Sequence, residues 1–93
     1  TMNTICKLSK LPYGQATVNK YIDGTIILTS YATQVAIIDS KGWLEIYGLY
    51  SMTTRKHISA FVEEYCGIDY QTAKMLYCDK YKYNIYTGEI LPL

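Results

Sequence analysis

Histidine, phenylalanine and tryptophan occur once each in this chain, and proline twice. The single histidine, His57, cannot form an HExxH zinc pair, and no GxxxxGK[ST] or GxGxxG phosphate loop is present. Arg55 and Lys56 precede His57, and Glu64 is the next carboxylate at helical spacing. A Ser-His-Asp or Cys-His system would therefore have to be assembled by the tertiary fold. Three cysteines, Cys6, Cys66 and Cys78, are widely spaced with no CxxC, which excludes a zinc ribbon or a thioredoxin-type motif. Their odd number reads as reduced thiols in a reducing compartment. One histidine and two distant cysteines make no closed metal site, so no metal, cofactor or catalytic residue is expected. Long apolar runs are also missing: the best, around Ile26 to Leu28, is far too short to cross a bilayer. The first residues lack the charged and apolar regions of a secretory leader, and Thr1 ahead of Met2 reads as an addition before the native start. A cytoplasmic protein is the expectation.

Charge of one sign is scarce as well. Nine Lys and Arg against eight Asp and Glu leave a net charge of +1. A general nucleic-acid binder would need a basic stripe to release counterions, so nucleic acid is the disfavoured partner, a small local basic patch aside.

What is present is tyrosine, eleven of them in 93 residues. Tyrosine is amphipathic and loses little conformational entropy on ordering, which suits binding surfaces; the plainer alternative is a half-buried boundary role in a small domain. The length fits one domain over residues 1–93, with an apolar fraction of 49% that argues against disorder.

Residues 1–15 read as an irregular or partly extended lead-in. Alternation over Thr17–Ile22 predicts a strand, and Asp23-Gly24 predicts a type I′ hairpin into a second strand over Thr25–Tyr31. A third strand over Thr33–Asp39 and a fourth over Trp43–Tyr50 flank Ser40-Lys41-Gly42, with Leu44 and Ile46 turned inward and Trp43, Glu45 and Tyr47 on a partly wet face. The period then changes. Ile58, Phe61, Val62 and Tyr65 form a helical stripe, with Ser51, Thr53 and Thr54 as alternative N-caps and Gly67 as the terminating glycine. Asp69 caps a second helix over Tyr70–Lys80 with Ala73, Leu76 and Tyr77 inward. The tail, 83–93, reads as a turn around Thr87-Gly88 with a short strand. The fold class is α+β, an antiparallel sheet of about four strands followed by two helices on one face.

Two surfaces stand out as candidate sites. Thr53, Thr54, Arg55, Lys56 and His57 open a helix with hydroxyls, free backbone N–H groups and cations together, an arrangement suited to a phosphate or carboxylate of a partner. Basic side chains there work against the helix dipole, and the plainer reading is a capped helix with solvated cations. The second is Tyr77, Tyr81, Tyr83 and Tyr86 interleaved with Lys80 and Lys82, which suits a protein interface, or else packs the tail on the second helix. Glu63-Glu64 reads as a solvated helix edge.

The run Leu28-Thr29-Ser30-Tyr31, then Thr33-Gln34-Val35-Ala36, then Gly48 through Ile58 resembles a family of short proteins encoded mainly by bacteriophages and prophages of Gram-positive and gut bacteria. Its specific part is Thr53-Thr54-Arg55-Lys56-His57-Ile58, read in the family as Thr-Thr-x-Lys-His-Ile. The family carries no assigned activity, so no residue role is transferred. The resemblance implies a bacterial-host context and a small inhibitor of anti-CRISPR type, bound to a host protein such as a CRISPR effector; the implication is analogy. A nucleic-acid accessory protein and a self-associating phage component, such as a homodimer through an open sheet edge, are the alternatives.

Overall fold

Apolar residues at alternate positions drive most of this chain into one antiparallel sheet. The computed structural model describes residues 3–6 as backbone and residues 15–93 in full. Seven strands, β1 (Asn3–Cys6), β2 (Ala16–Tyr21), β3 (Ile26–Ser30), β4 (Thr33–Ile38), β5 (Trp43–Ile46), β6 (Tyr81–Asn84) and β7 (Ile90–Pro92), lie side by side in chain order. Two helices, α1 (Met52–Tyr65) and α2 (Tyr70–Cys78), leave the sheet after β5 and return to it at β6. The class is α+β as expected. The strand count is higher than the expected four, and the helices interrupt the sheet instead of following it. Apart from β1 and Gln15, the expected lead-in lies outside the described residues.

Register places Ala16, Val18, Leu28, Ala36, Ile38, Leu44 and Ile46 on one face, all buried. α1 packs on β3 and β4, and α2 on β5 and β6. The helix stripe behaves as its period predicts: Ile58, Phe61 and Val62 are fully buried, with Tyr65 packed against them. Val35 and Ala36 are both buried although they are adjacent, because the register between β3 and β4 shifts there and turns both inward.

Turns and caps depart from expectation in instructive places. Asp23 does not adopt a positive φ, so the β2–β3 turn is not type I′; Ile22-Asp23-Gly24 forms a three-residue loop with Gly24 at φ 98. Gly24 N–H donates to Tyr21 C=O, and Asp23 Oδ1 accepts from Thr25 N–H. Tyr31, expected in a strand, instead turns the chain between β3 and β4 at φ 56. β5 ends at Ile46, short of the expected Tyr50. Among the alternative caps Ser51 takes the role, its Oγ accepting from Thr54 N–H, and Asp69 caps α2 through Thr72 N–H as expected. Gly67, at φ 69, follows the C-cap Cys66. α2 stops at Cys78, with Ala73 and Leu76 buried but Tyr77 exposed, against the inward place expected for it.

The tail is part of the sheet. Buried Asn84 holds its turn: Oδ1 accepts from Tyr86 N–H and Thr87 N–H, and Nδ2 donates to Lys41 C=O. This side chain ties the β6–β7 turn to the β4–β5 turn.

Candidate functional site

The tyrosine- and lysine-bearing segment does not present one surface. β6 alternates, so Tyr81 and Tyr83 pack on the core, and Lys82 emerges on the opposite face with its Nζ 4.6 Å from the Trp43 ring centroid. Tyr86 lies across Gly42, where an added Cβ would come within 2.5 Å of its ring. Tyr77 and Lys80 remain exposed. Lys80 ends the helical segment at φ 61, a left-handed position unusual for a residue with a side chain.

Those two residues meet a set that sequence reading did not join to them. Tyr47, Glu45 and Ile46 from the end of β5, Tyr77, Cys78 and Lys80 from the end of α2, and Leu93 line a shallow groove of about 400 Å³. Burial and the neighbouring Glu45 carboxylate push the Tyr47 hydroxyl above its ordinary value, so Tyr47 stays a hydrogen-bond donor. Tyr47, Tyr77 and Leu93 are each substantially exposed. The groove thus has apolar walls with an acid and a base at its rim.

The basic helix turn is divided in the same way. Thr54 and His57 point into the protein, whereas Arg55 and Lys56 are exposed and Thr53 is half-buried. The expected five-residue anion site is therefore not one surface. Arg55 Nε donates to Leu49 C=O. Arg55, Lys56, Met52, Ser59 and Tyr70 line a second hollow of about 300 Å³, and the buried Tyr70 hydroxyl has no hydrogen-bond partner.

Beneath this turn runs a polar chain that is buried from Thr54 inward. Ser30 Oγ lies 2.7 Å from His57 Nδ1 and 3.2 Å from Thr54 Oγ1, which is itself 3.2 Å from Ser51 Oγ. Sequence reading missed Ser30, although its place two residues after inward Leu28 marks it as an inward polar group. The same signal existed for His57, since Thr54, His57, Ile58, Phe61 and Val62 share one helical stripe. Burial lowers the basicity of His57 below the 6.5 of a free imidazole. The Ser30–His57 distance is that of a base and a nucleophile. Ser30 is only 2% exposed and His57 only 3%, so a substrate carbonyl cannot reach the hydroxyl in this fold. Burial also raises the Cys66 thiol to about 12, leaving it a poor nucleophile.

β7 closes the sheet on one side. Asn84 N–H donates to Glu89 C=O and Leu93 N–H to Lys80 C=O, so by alternation Ile90 and Pro92 turn their backbone outward. Pro92 has no N–H to offer there, which blunts the edge against pairing with another strand. Among the described residues no three His, Cys, Asp or Glu side chains converge as metal ligands, and no helix is long and apolar enough to cross a membrane.

No curated protein and no solved structure matches the chain. A family model does match, over residues 2–82, and on that match the chain belongs to the family of unknown function DUF8033.

Proposed function

We propose that this chain is a non-enzymatic binding protein that docks on a protein partner through the groove of Tyr47, Tyr77, Lys80 and Leu93. The carrying observation is the convergence there of exposed aromatic and aliphatic walls with Lys80 and Glu45 at the rim. Tyrosines held by the ends of a strand and a helix are partly pre-ordered, which lowers the entropy lost when a partner's apolar side chain enters. Sealing of the Ser30–His57 pair in the interior supports a non-catalytic reading. The phage resemblance directs the choice of partner toward a bacterial host's defence machinery, with the protein acting in the host cytoplasm as an inhibitor of anti-CRISPR type.

The test is affinity capture by tagged protein from a bacterial lysate expressing a CRISPR effector, repeated after nuclease treatment. A nuclease-resistant effector band is expected. Tyr47→Ala with Tyr77→Ala should then weaken binding at least tenfold, about 1.4 kcal/mol or more, with the circular dichroism spectrum unchanged. Retained binding by that variant, with loss on Arg55→Glu and Lys56→Glu, would move the interface to the basic helix face. Recovery of no effector would defeat the inhibitor reading.

The basic face carries a second reading. Arg55 and Lys56 form no ion pair among the described residues and line a common hollow with Tyr70, which favours an anionic group, such as a nucleic-acid phosphate, beside the two cations. Such binding would weaken steeply with salt, and no gel shift with short DNA or RNA at low salt would remove it.

A further inference from the structure

The hydrogen-bond chain, buried at Thr54, Ser30 and His57 and exposed at Ser51, joins two parts of the surface that the backbone connects only distantly. Ser51 caps α1, Thr54 lies in its first turn, and both connect through Thr54 Oγ1 to Ser30 at the end of β3. Ser30 in turn holds His57 Nδ1 at 2.7 Å. Immediately after Ser30 comes Tyr31, whose backbone sits at φ 56 and whose ring is tilted 49° to the His57 imidazole with centroids 5.9 Å apart. A left-handed backbone is disfavoured for a residue that carries a side chain, so the β3–β4 turn is held in place by its surroundings.

We propose that the Ser51–Thr54–Ser30–His57 chain is a proton-operated latch: it fastens the first turn of α1 to the β3–β4 turn, and both are released together when His57 takes up a proton.

The argument rests on what the site offers a charge. In the neutral ring one nitrogen donates and the other accepts, so Ser30 and Nδ1 can pair in either sense. Protonation makes both ring nitrogens donors. Where Nδ1 accepts in the neutral ring, Ser30 Oγ must then accept from Nδ1 and turn its own hydroxyl toward Thr54 Oγ1, which passes the reversal on to Ser51. The hydroxyls can re-polarise in this way, but the new charge has no counter-ion. Tyr31 is the titratable side chain that faces the ring from the β3–β4 turn. On α1 the flanking charges are Arg55 and Lys56, both positive, and no carboxylate pairs with His57 among the described residues. A buried cation without a partner is strongly disfavoured. Opening the adjoining turns hydrates the imidazolium and also relieves Tyr31 of its left-handed backbone. Burial already holds His57 below its ordinary 6.5, as a site built for the neutral ring should. The segments set free carry the exposed side chains of Tyr31 and Met52, so opening changes the surface around them.

Hydrogen exchange followed residue by residue, with intrinsic rates removed, tests the latch on the full chain from about pH 7.5 to about pH 5, a range that brackets the imidazole transition. Protection of the amides of residues 29–34 and 52–56 is expected to fall by up to about tenfold per pH unit below the transition, the slope for uptake of one proton. Amides of β5 and α2 should keep their protection over the same range. The His57 Cε1 proton shift should report the same transition. In His57→Gln, which keeps a hydrogen-bonding side chain without a titrating ring, the pH dependence of those segments should vanish. Titration of His57 with no change in local protection would overturn the proposal. So would a loss of protection that is equal throughout the molecule, since that describes global acid unfolding. Both overturning outcomes are read on the unsubstituted protein, so the test does not depend on the variant's folding.

Discussion

With Ser30 Oγ 2.7 Å from His57 Nδ1 and 3.2 Å from Thr54 Oγ1, removing that one hydroxyl leaves the buried imidazole without its partner and Thr54 with Ser51 alone. Leaving a buried polar group unsatisfied costs about 1–3 kcal/mol, so Ser30→Ala should lower the urea unfolding midpoint by that equivalent. Ser51→Ala removes the α1 cap and one end of the chain, and about 1 kcal/mol is expected from the cap. If Ser30→Ala changed stability by less than Ser51→Ala, the interior bond would be contributing little. Individual side chains also explain why the candidate surfaces needed revision. Arg55 and Lys56 reach solvent as their type predicts, but Thr54 and His57 lie on the buried stripe of the same helix. Residue type suggested an anion site; helical phase decided which of its members could touch one.

The same logic extends to the elements, where the two tail-side turns differ in a measurable way. Gly42, at φ 91, lies under the Tyr86 ring, and Gly88, at φ 80, has open space where a Cβ would lie. Gly88→Ala should therefore cost only the left-handed backbone term, about 1–2 kcal/mol. Gly42→Ala carries the same term and must also displace Tyr86, so the larger loss of stability is expected there. In a Tyr86→Ala background the two alanine substitutions should become equal, and a double-mutant cycle read by urea denaturation measures the difference. Equal losses in the unsubstituted background would mean that Tyr86 swings away freely. Element boundaries were legible where the chain's own periodicity sets them: β2 to β5 and both helices fall near their expected places. The β2–β3 turn differs from the type I′ expectation because Ile22 joins Asp23-Gly24 in the loop and only Gly24 takes the positive φ. Three tyrosines and two lysines in Tyr77–Tyr83 have the composition of a surface, but β6 is a strand whose two-residue alternation sends Tyr81 and Tyr83 inward and Lys82 outward.

For the molecule as a whole, acid should act in two steps. His57 is below 6.5 in the fold, so under mildly acid conditions the unfolded chain binds a proton that the folded chain does not. Stability is complete above 6.5 on this account and declines as pH falls below it. Asp23 and Asp69 are held below 3.8 by hydrogen bonds from Thr25 and Thr72, so their contribution is present above 3.8 and lost as pH falls through their folded values. Urea midpoints taken across both ranges should show the two declines, and His57→Gln should flatten the first while sparing the second. A single decline below 3.8 would show that His57 is not excluded from protonation by the fold. Composition and periodicity, by themselves, determined that the chain is α+β, where its core strands and helix stripe run, and that Asp69 and Gly67 bound its helices, because these are set by neighbours a few residues away. Only the tertiary structure decided that the tail returns to β5, since strand pairing across 43↔84 leaves no local signal. It also decided that Tyr47 meets Tyr77 and Lys80 in one groove, and that Ser30 reaches His57, because each of these depends on side chains brought together from distant elements by burial of a shared core.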